Sequence, residues 1–190
     1  CKHGKLKVVD RLLKKKPVNV NAIDKDGKSA LMYACENGHD DIVDRILVLH
    51  NVDINIKDNE GLSAFSIAIL NSSKKIIKKL LAHKLLDINS KTKSGTMPLT
   101  LAIENGESEI ALQIIDHPNH NISDEDVSSA INLAGKNNAI DVITRLQQAF
   151  PNITDSEGNL LKRQTHDNEL ESNEISKKRK TPDVENENIR

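Results

Sequence analysis

Apolar residues occur along the chain in short groups that return every 34 positions. Pairs of aliphatic residues keep this interval at Leu12–Leu13, Ile46–Leu47, Leu80–Leu81 and Ile114–Ile115. The same interval separates Val20–Asn21, Ile54–Asn55, Ile88–Asn89 and Ile122–Ser123. A period of roughly 20 to 50 residues indicates stacked supersecondary units, because no single unit buries its own apolar face.

Each unit predicts a helix, a tight turn, a second helix and an extended loop. In the first complete unit, Ser29 can cap a helix whose apolar positions are Leu31, Ala34 and Cys35. Gly38 ends that helix, since glycine adopts a left-handed backbone at little cost. The second helix has one apolar face, formed by Ile42, Val43, Ile46 and Leu47. The extended arm that follows is predicted to turn at Gly61.

These positions resemble the ankyrin repeat. The family pattern places an acid three residues before a glycine, then a Thr-Pro-Leu-His helix start, an alanine, a Gly-His turn, aliphatic pairs and a Val-Asn pair. The first complete unit matches it in order with Asp24, Gly27, Ser29–Met32, Ala34, Gly38–His39, Ile42–Val43, Ile46–Leu47 and Ile54–Asn55. The resemblance covers residues 1–150 and implies an all-α ankyrin-repeat solenoid of helix-turn-helix units with extended finger loops.

The chain departs from the family pattern in three ways. Met32, Ser66 and Thr100 replace the helix-start histidine, so we expect its hydrogen bond to the finger loop to be absent or altered. Each unit has one extra residue after its second helix, which predicts looser loops at Lys16–Pro17, His50–Asn51 and Lys84–Leu85. The last unit is shorter, and its first helix is predicted to begin at the capping-box-like pair Ser123 and Asp126.

The predicted organisation is one ankyrin-repeat domain over residues 1–150 and a disordered polar tail over 151–190. The domain divides into a partial repeat (1–23), three repeats (24–57, 58–91 and 92–123) and a capping repeat (124–150). Cys1 aligns with Cys35, inside a first helix, so we expect upstream repeats or another domain in the parent protein. The tail has no periodicity and few core-forming residues, which is typical of disorder.

Charge and composition narrow the function classes. The 27 basic and 28 acidic residues give a net charge of -1, which argues against nucleic-acid binding and against a polybasic membrane surface. No apolar stretch approaches the roughly 18 residues that cross a bilayer. The two cysteines are too few for a disulfide framework. Because Cys1 and Cys35 stand one repeat apart, we interpret both as small core residues.

Catalytic and metal-binding motifs are not recognisable in the sequence. His117 and His120 are the one close histidine pair, and they lack the further ligands that zinc requires. The Asp24–Gly27 segment lacks the flanking ligands of a calcium loop, whose positions fall at Ala22 and Tyr33. We therefore expect no enzyme activity, no cofactor and no metal.

Binding of another protein is the function that the resemblance implies. In ankyrin-like stacks, the finger tips and the exposed side of each first helix line a concave surface that binds proteins. Carried over by position, the candidate partner-binding residues are Lys25, Asp26, Lys28, Glu36, Asn37, Asn59, Glu60, Leu62, Leu70, Asn71, Lys93, Ser94, Thr96, Glu104 and Asn105. Leu62 and Leu70 differ from the rest because both are apolar where the fold predicts exposure.

Two alternatives to this function stay open. In the first, the repeats select the target of an effector or enzyme whose catalytic part lies upstream of residue 1. In the second, the chain is a substrate, since Asn21, Asn55 and Asn89 stand where asparaginyl hydroxylases modify some ankyrin proteins. The expected location is the cytoplasm, or the host-cell cytoplasm if the source is an intracellular bacterium.

A dense basic cluster lies in the predicted tail, at Lys177, Lys178, Arg179 and Lys180. Closely spaced cations in an extended segment fit the acidic pockets of a nuclear import carrier. Phosphorylation of Thr181 would place about two negative charges beside the cluster and weaken that interaction. The cluster predicts the nucleus as a second location inside a eukaryotic cell, and the alternative is a solvated charge run that offsets the surrounding acids.

Overall fold

The computed structural model describes residues 1–14, 18–151 and 153. Nine helices follow one another in this part of the chain. They are α1 (Leu6–Leu13), α2 (Ala30–Glu36), α3 (Asp40–Leu47), α4 (Ala64–Leu70), α5 (Lys74–Leu81), α6 (Pro98–Glu104), α7 (Ser108–Ile115), α8 (Asp124–Lys136) and α9 (Ile140–Ala149). The described residues contain two isolated β-bridges, Ile23–Ser29 and Lys57–Ser63, and no longer strand. The all-α fold class is therefore confirmed.

The helices form two layers. The inner layer consists of α2, α4, α6 and α8, each of which packs against the next. The outer layer consists of α1, α3, α5, α7 and α9, and each outer helix from α3 onward packs against the inner helix before it in the chain. The helix pairs fall within the units that the 34-residue period predicts. The predicted tail lies outside the described residues, apart from Pro151 and Ile153.

Hydroxyl groups fix where several inner helices begin. The Ser29 Oγ accepts a hydrogen bond from the Met32 N–H at 3.3 Å, and the Ser123 Oγ accepts one from the Asp126 N–H at 3.2 Å. The predicted start of α8 is therefore confirmed. At α6 the Thr100 hydroxyl accepts a hydrogen bond from the Met97 N–H at 3.0 Å. Each of these bonds satisfies one main-chain donor that the first turn leaves without a helical partner.

Alanine allows the inner helices to approach closely. The core of the described residues is one continuous cluster of aliphatic side chains with a single buried phenylalanine, Phe65. Ala34, Ala68, Ala102 and Ala134 occupy equivalent positions on the four inner helices and are fully buried. On the outer helices the equivalent buried residues are Ile42, Ile76, Ile110 and Val142. Because residues of similar size return at equivalent positions of the repeats, the helices pack in the same way from one unit to the next.

Asparagine side chains tie the loops of consecutive units together. The Asn21 Nδ2 donates to the Asn51 carbonyl at 2.8 Å, while its Oδ1 accepts from the Asp53 N–H at 2.8 Å. Asn55 and Asn89 make the same pair of bonds one and two units later. The loops with the extra residue at His50–Asn51 and Lys84–Leu85 are thus held by an amide from the preceding unit. The third such loop, at Lys16–Pro17, lies outside the described residues. The role of these asparagines as hydroxylase substrates stays a prediction.

Candidate partner-binding surface

Three finger loops extend from the inner layer, and each is closed by a hydrogen bond within itself. We call residues 24–28 finger 1, residues 58–62 finger 2 and residues 92–96 finger 3. The first main-chain N–H of each finger donates to the carbonyl of its last residue, at 3.1, 2.9 and 2.9 Å. The fourth residue is a glycine with positive φ in each finger. Side chains at that position would be strained, so the turn requires glycine.

The fingers are also bonded to one another. The Asn59 N–H donates to the Asp26 carbonyl at 3.0 Å, and the Lys93 N–H donates to the Glu60 carbonyl at 3.0 Å. The Asn59 side chain adds a bond from its Nδ2 to the Lys25 carbonyl at 2.9 Å. Fingers 1, 2 and 3 therefore form one connected row of backbone along the edge of the inner layer.

Tyr33 links finger 1 to the exposed side of α2. Its hydroxyl donates to the Asp24 Oδ2 at 2.6 Å, and this bond raises the pKa of Tyr33 to about 12. The same bond lowers the pKa of the Asp24 carboxyl. The Nζ atoms of Lys2 and Lys28 each lie 5.7 Å from the centre of the Tyr33 ring, within the range of a cation–π contact.

Several of the sequence-predicted site residues bond within the scaffold. Lys28 pairs with Glu36 at 2.7 Å. The Asn37 and Asn71 amides donate to carbonyls of their own helices, whereas the Asn105 amide donates to the Ile69 carbonyl of the preceding unit at 3.1 Å. The hydroxyls of Ser94 and Thr96 bond to each other at 3.0 Å. Together with Asn59, these side chains fix the shape of the surface.

The remaining predicted side chains are available to a partner. The side chains of Lys25, Asp26, Glu60, Lys93 and Glu104 are exposed and make no hydrogen bond or ion pair with any residue that the structure describes. Leu70 lies among them on α4, at the position that Glu36 and Glu104 hold on α2 and α6, and it is 43% exposed.

The expectation of an exposed Leu62 is wrong. Leu62 is partly buried and packs against the hydrophobic core. It is the last residue of finger 2, directly before the helix cap Ser63, and its carbonyl accepts a hydrogen bond from the Asp58 N–H at 2.9 Å. The same closing bond is made at Lys28 and Thr96 in the other fingers, so Leu62 differs from them in its apolar side chain and its contact with the core.

A cleft of about 340 Å³ lies between finger 3 and α8. Its lining combines hydroxyl, amide, charged and apolar side chains, which belong to Ser94, Thr96, Met97, Thr100, Glu104, Asp126, Ser129, Asn132, Leu133 and Lys136. Of the cleft residues, Ser94, Thr96 and Glu104 were predicted from the sequence, whereas Thr100, Ser129 and Asn132 were not. Tyr33 of α2 was not predicted either. A usable signal was present for Tyr33 and Thr100, which lie about one helical turn from the selected residues Glu36 and Glu104.

The other candidate residues do not form a chemical site in the described part of the chain. Cys35 is buried, and burial raises the pKa of its thiol to about 12. Cys1 is only half-buried, so it differs from Cys35 despite the repeat spacing. Among the described residues, no group of three or more histidine, cysteine or acidic side chains could hold a metal ion, and no helix is long and apolar enough to cross a membrane. The basic cluster Lys177–Lys180 lies outside the described residues.

Stacked helix pairs with a row of linked finger loops define a helical-repeat solenoid. The family model for ankyrin repeats, in three copies, matches residues 1–92 and again residues 65–156. The chain therefore belongs to the ankyrin-repeat family. A search of curated proteins finds no match to the chain. Ankyrin repeats are generally protein–protein interaction modules, and their fold is typically non-catalytic.

Proposed function

We propose that the chain binds another protein through the concave surface formed by fingers 1–3 and the exposed sides of α2, α4 and α6. The observation that carries this proposal is the exposed apolar side chain of Leu70 on a surface that has unpaired charges of both signs among the described residues. Several charges on the outer helices instead pair across repeats, although others there, such as Lys78, are unpaired as well.

The outer layer uses its charges to hold neighbouring units together. Asp10 pairs with Arg45 at 3.2 Å, and Asp44 pairs with Lys79 at 2.7 Å. Asp116 and Arg145 make a similar bond of 2.6 Å between the last two outer helices. A partner that used these groups would have to break bonds within the scaffold. These paired groups are therefore less available to a partner than unpaired ones.

The concave surface has an exposed apolar side chain and exposed charged ones that lack ion pairs among the described residues. Leu70 is the exposed apolar group, and Lys25, Glu60, Lys93 and Glu104 provide charges of both signs. Protein interfaces commonly have an apolar centre that loses its water on binding and a polar rim that sets specificity. We expect Leu70 to be at the centre of the interface.

The hydrogen bonds between fingers favour tight recognition. Asn59 and Lys93 join the three fingers through main-chain bonds, and the asparagine bridges hold the loops beneath them. Ordering a flexible segment on binding costs free energy, so a surface ordered beforehand loses less on association.

The test compares two apolar-to-acidic changes. Leu70→Glu introduces the residue that α2 and α6 already have at this position, so the fold should tolerate it. Val48→Glu is the matched control, since Val48 follows the outer helix α3 and is 77% exposed. A partner is first identified by mass spectrometry of proteins that co-purify with the full chain, and its Kd is then measured for each purified variant.

We expect Leu70→Glu to weaken binding by about tenfold or more, the range of a buried contact residue. Val48→Glu should bind as the unchanged chain does. Equal affinities for the two variants, with native circular dichroism for both, would place the interface away from the concave surface.

A further inference from the structure

Finger 3 has an uncovered edge, unlike the two fingers before it. In fingers 1 and 2 the carbonyl of the third residue accepts a hydrogen bond from the next finger. The corresponding carbonyl of finger 3 belongs to Ser94. By position, its donor would be the Val127 N–H, which instead donates to the Ser123 carbonyl at 2.9 Å in the first turn of α8. No residue that the structure describes takes its place.

The space beside each finger glycine shows the same difference. A Cβ atom on Gly27 would lie 2.9 Å from the Asn59 nitrogen, and one on Gly61 would lie 2.6 Å from the Lys93 nitrogen. A Cβ atom on Gly95 would meet no described atom within 4 Å. Backbone thus covers fingers 1 and 2 closely, and finger 3 is open at the equivalent place.

The Ser94 N–H is free as well. In finger 1 the Asp24 carboxylate accepts from the N–H of the third residue at 3.0 Å, and in finger 2 the Asp58 carboxylate does so at 2.9 Å. Finger 3 has Thr92 at this position, and its hydroxyl accepts from the Thr96 N–H at 3.0 Å. Both main-chain polar groups of Ser94 are thus without a partner in the described part of the chain.

The open edge faces the cleft between finger 3 and α8. Thr100, Ser129 and Asn132 line that cleft with groups that both donate and accept hydrogen bonds. Glu104 and Asp126 add two acidic groups and Lys136 adds one basic group. The Asp126 carboxylate is already paired with Lys91 at 2.8 Å. These groups suit a polypeptide, whose main chain alternates donors and acceptors.

We propose that an extended segment of a partner protein binds in this cleft and adds to finger 3 as a further finger would. Its main-chain N–H donates to the Ser94 carbonyl, as Asn59 and Lys93 donate to the two preceding fingers. Pairing an extended peptide with an open backbone edge is a recurrent mode of recognition, in which main-chain bonds supply affinity. This inference rests on the proposed function and assigns one part of the interface.

The experiment begins with a phage-displayed library of short linear peptides selected on the full chain. Asn132→Trp fills the cleft from an exposed position on α8. Gln148→Trp is the matched control, because Gln148 is exposed on α9 and does not line the cleft. We expect selected peptides to bind the unchanged chain and Gln148→Trp equally and to lose at least tenfold in Kd on Asn132→Trp.

A second step tests the main-chain bond itself. Each amide of a selected peptide is replaced in turn by an ester, which removes the N–H and keeps the shape. We expect one ester to weaken binding by about tenfold, the effect of losing one hydrogen bond, and its two neighbours to have little effect.

Three outcomes would overturn the inference. A peptide that tolerates an ester at every position does not pair with finger 3. A peptide that binds Asn132→Trp normally but is lost on Leu70→Glu occupies another part of the concave surface, which supports the proposed function and rejects this cleft. Self-association of the chain that Asn132→Trp abolishes, or selection of the sequence 154–190, assigns the cleft to a second copy or to the chain itself.

Discussion

The Lys79 Nζ lies 2.7 Å from the Asp44 Oδ2, so an ion pair joins the outer helices α5 and α3 of neighbouring units. Lys79 also donates to the Asp40 carbonyl at 2.9 Å. Burial of the Lys79 ammonium group opposes its charge, but the bonds and charges of Asp44 and Asp40 outweigh this effect and raise the pKa of Lys79 above its ordinary value. The pair occupies the same register as Asp10 and Arg45 one unit earlier.

We predict that Lys79→Gln lowers the free energy of unfolding by about 0.5–1 kcal/mol, the usual range for such a pair. Gln113 already stands at the equivalent position on α7, so the change introduces no packing problem. Lys78→Gln is the matched control, since Lys78 is exposed on the same helix and has no ion pair among the described residues. Urea denaturation at pH 7 measures the difference.

The contribution of the Lys79 ion pair to the free energy of unfolding should decrease as the pH rises. Because folding raises the pKa of Lys79, its contribution is complete below the pKa of the unfolded chain and is lost as the pH rises through the folded value. The stability gap between the unchanged chain and Lys79→Gln should therefore close in alkaline solution. High salt should narrow it too. Equal stabilities for Lys79→Gln and Lys78→Gln at pH 7 and low salt would disprove the contribution of the pair.

The second prediction concerns the titration of Tyr33. Tyr33 is the single tyrosine of the chain, and the chain contains no tryptophan. Phenolate absorbance consequently reports the titration of Tyr33 alone. In the folded chain we expect a midpoint near pH 12, because the neutral hydroxyl donates to the Asp24 carboxylate and ionisation would place two negative charges together. Asp24→Asn should move the midpoint toward the ordinary pKa of 10.0.

The chain in urea provides the reference for this titration, since it has no bond between the two side chains. The raised pKa stabilises the fold below the unfolded value, and this contribution disappears as the pH rises through about 12. A folded midpoint that matches the one in urea would show that the Tyr33–Asp24 bond does not form in solution.

Local patterns along the sequence predict much of this fold. The apolar periodicity placed the helix pairs, and Ser123 with Asp126 marked the start of α8, because both signals act within a few residues. The bonds from Asn59 and Lys93 to the neighbouring fingers join residues far apart in the chain, so spacing alone does not reveal them. Leu62 was misjudged because its partial burial depends on contact with the hydrophobic core, which the repeat position does not reveal.

The third prediction concerns the turn between α4 and α5. Ser72 has a φ of 51° there, whereas Gly38 and Gly106 hold the equivalent turns with values of 68° and 71°. A side chain in this left-handed region costs about 1–2 kcal/mol, and glycine relieves the cost. Ser72→Gly should therefore raise the free energy of unfolding by about 1 kcal/mol. Thermal and urea denaturation measure the gain.

Ser72→Ala is the control for this change, because it removes the hydroxyl and keeps the Cβ atom. It should give no increase in stability. A comparable gain for Ser72→Ala and Ser72→Gly would attribute the effect to loss of the hydroxyl rather than to backbone strain.

The last prediction concerns the two reasons why a finger requires glycine. One is the positive φ, and the other is the space that a Cβ atom would take from the next finger. Gly61 and Gly95 have almost the same backbone, with φ of 80° and 84°, so alanine suffers the same strain at both positions. They differ in what lies beside them: a Cβ atom on Gly61 would be 2.6 Å from the Lys93 nitrogen, and one on Gly95 would meet no described atom within 4 Å. Since a main-chain atom cannot move aside as a flexible side chain does, Gly61→Ala must displace finger 3.

We expect Gly61→Ala to cost about 1–2 kcal/mol more than Gly95→Ala, the range for overpacking at a tight contact. Hydrogen exchange provides a second measurement, because displacement breaks the bond from Lys93 to Glu60 and should speed exchange of the Lys93 amide in Gly61→Ala alone. Equal losses of stability, with equal exchange rates of the Lys93 amide in both variants, would show that a Cβ atom at position 61 does not displace finger 3.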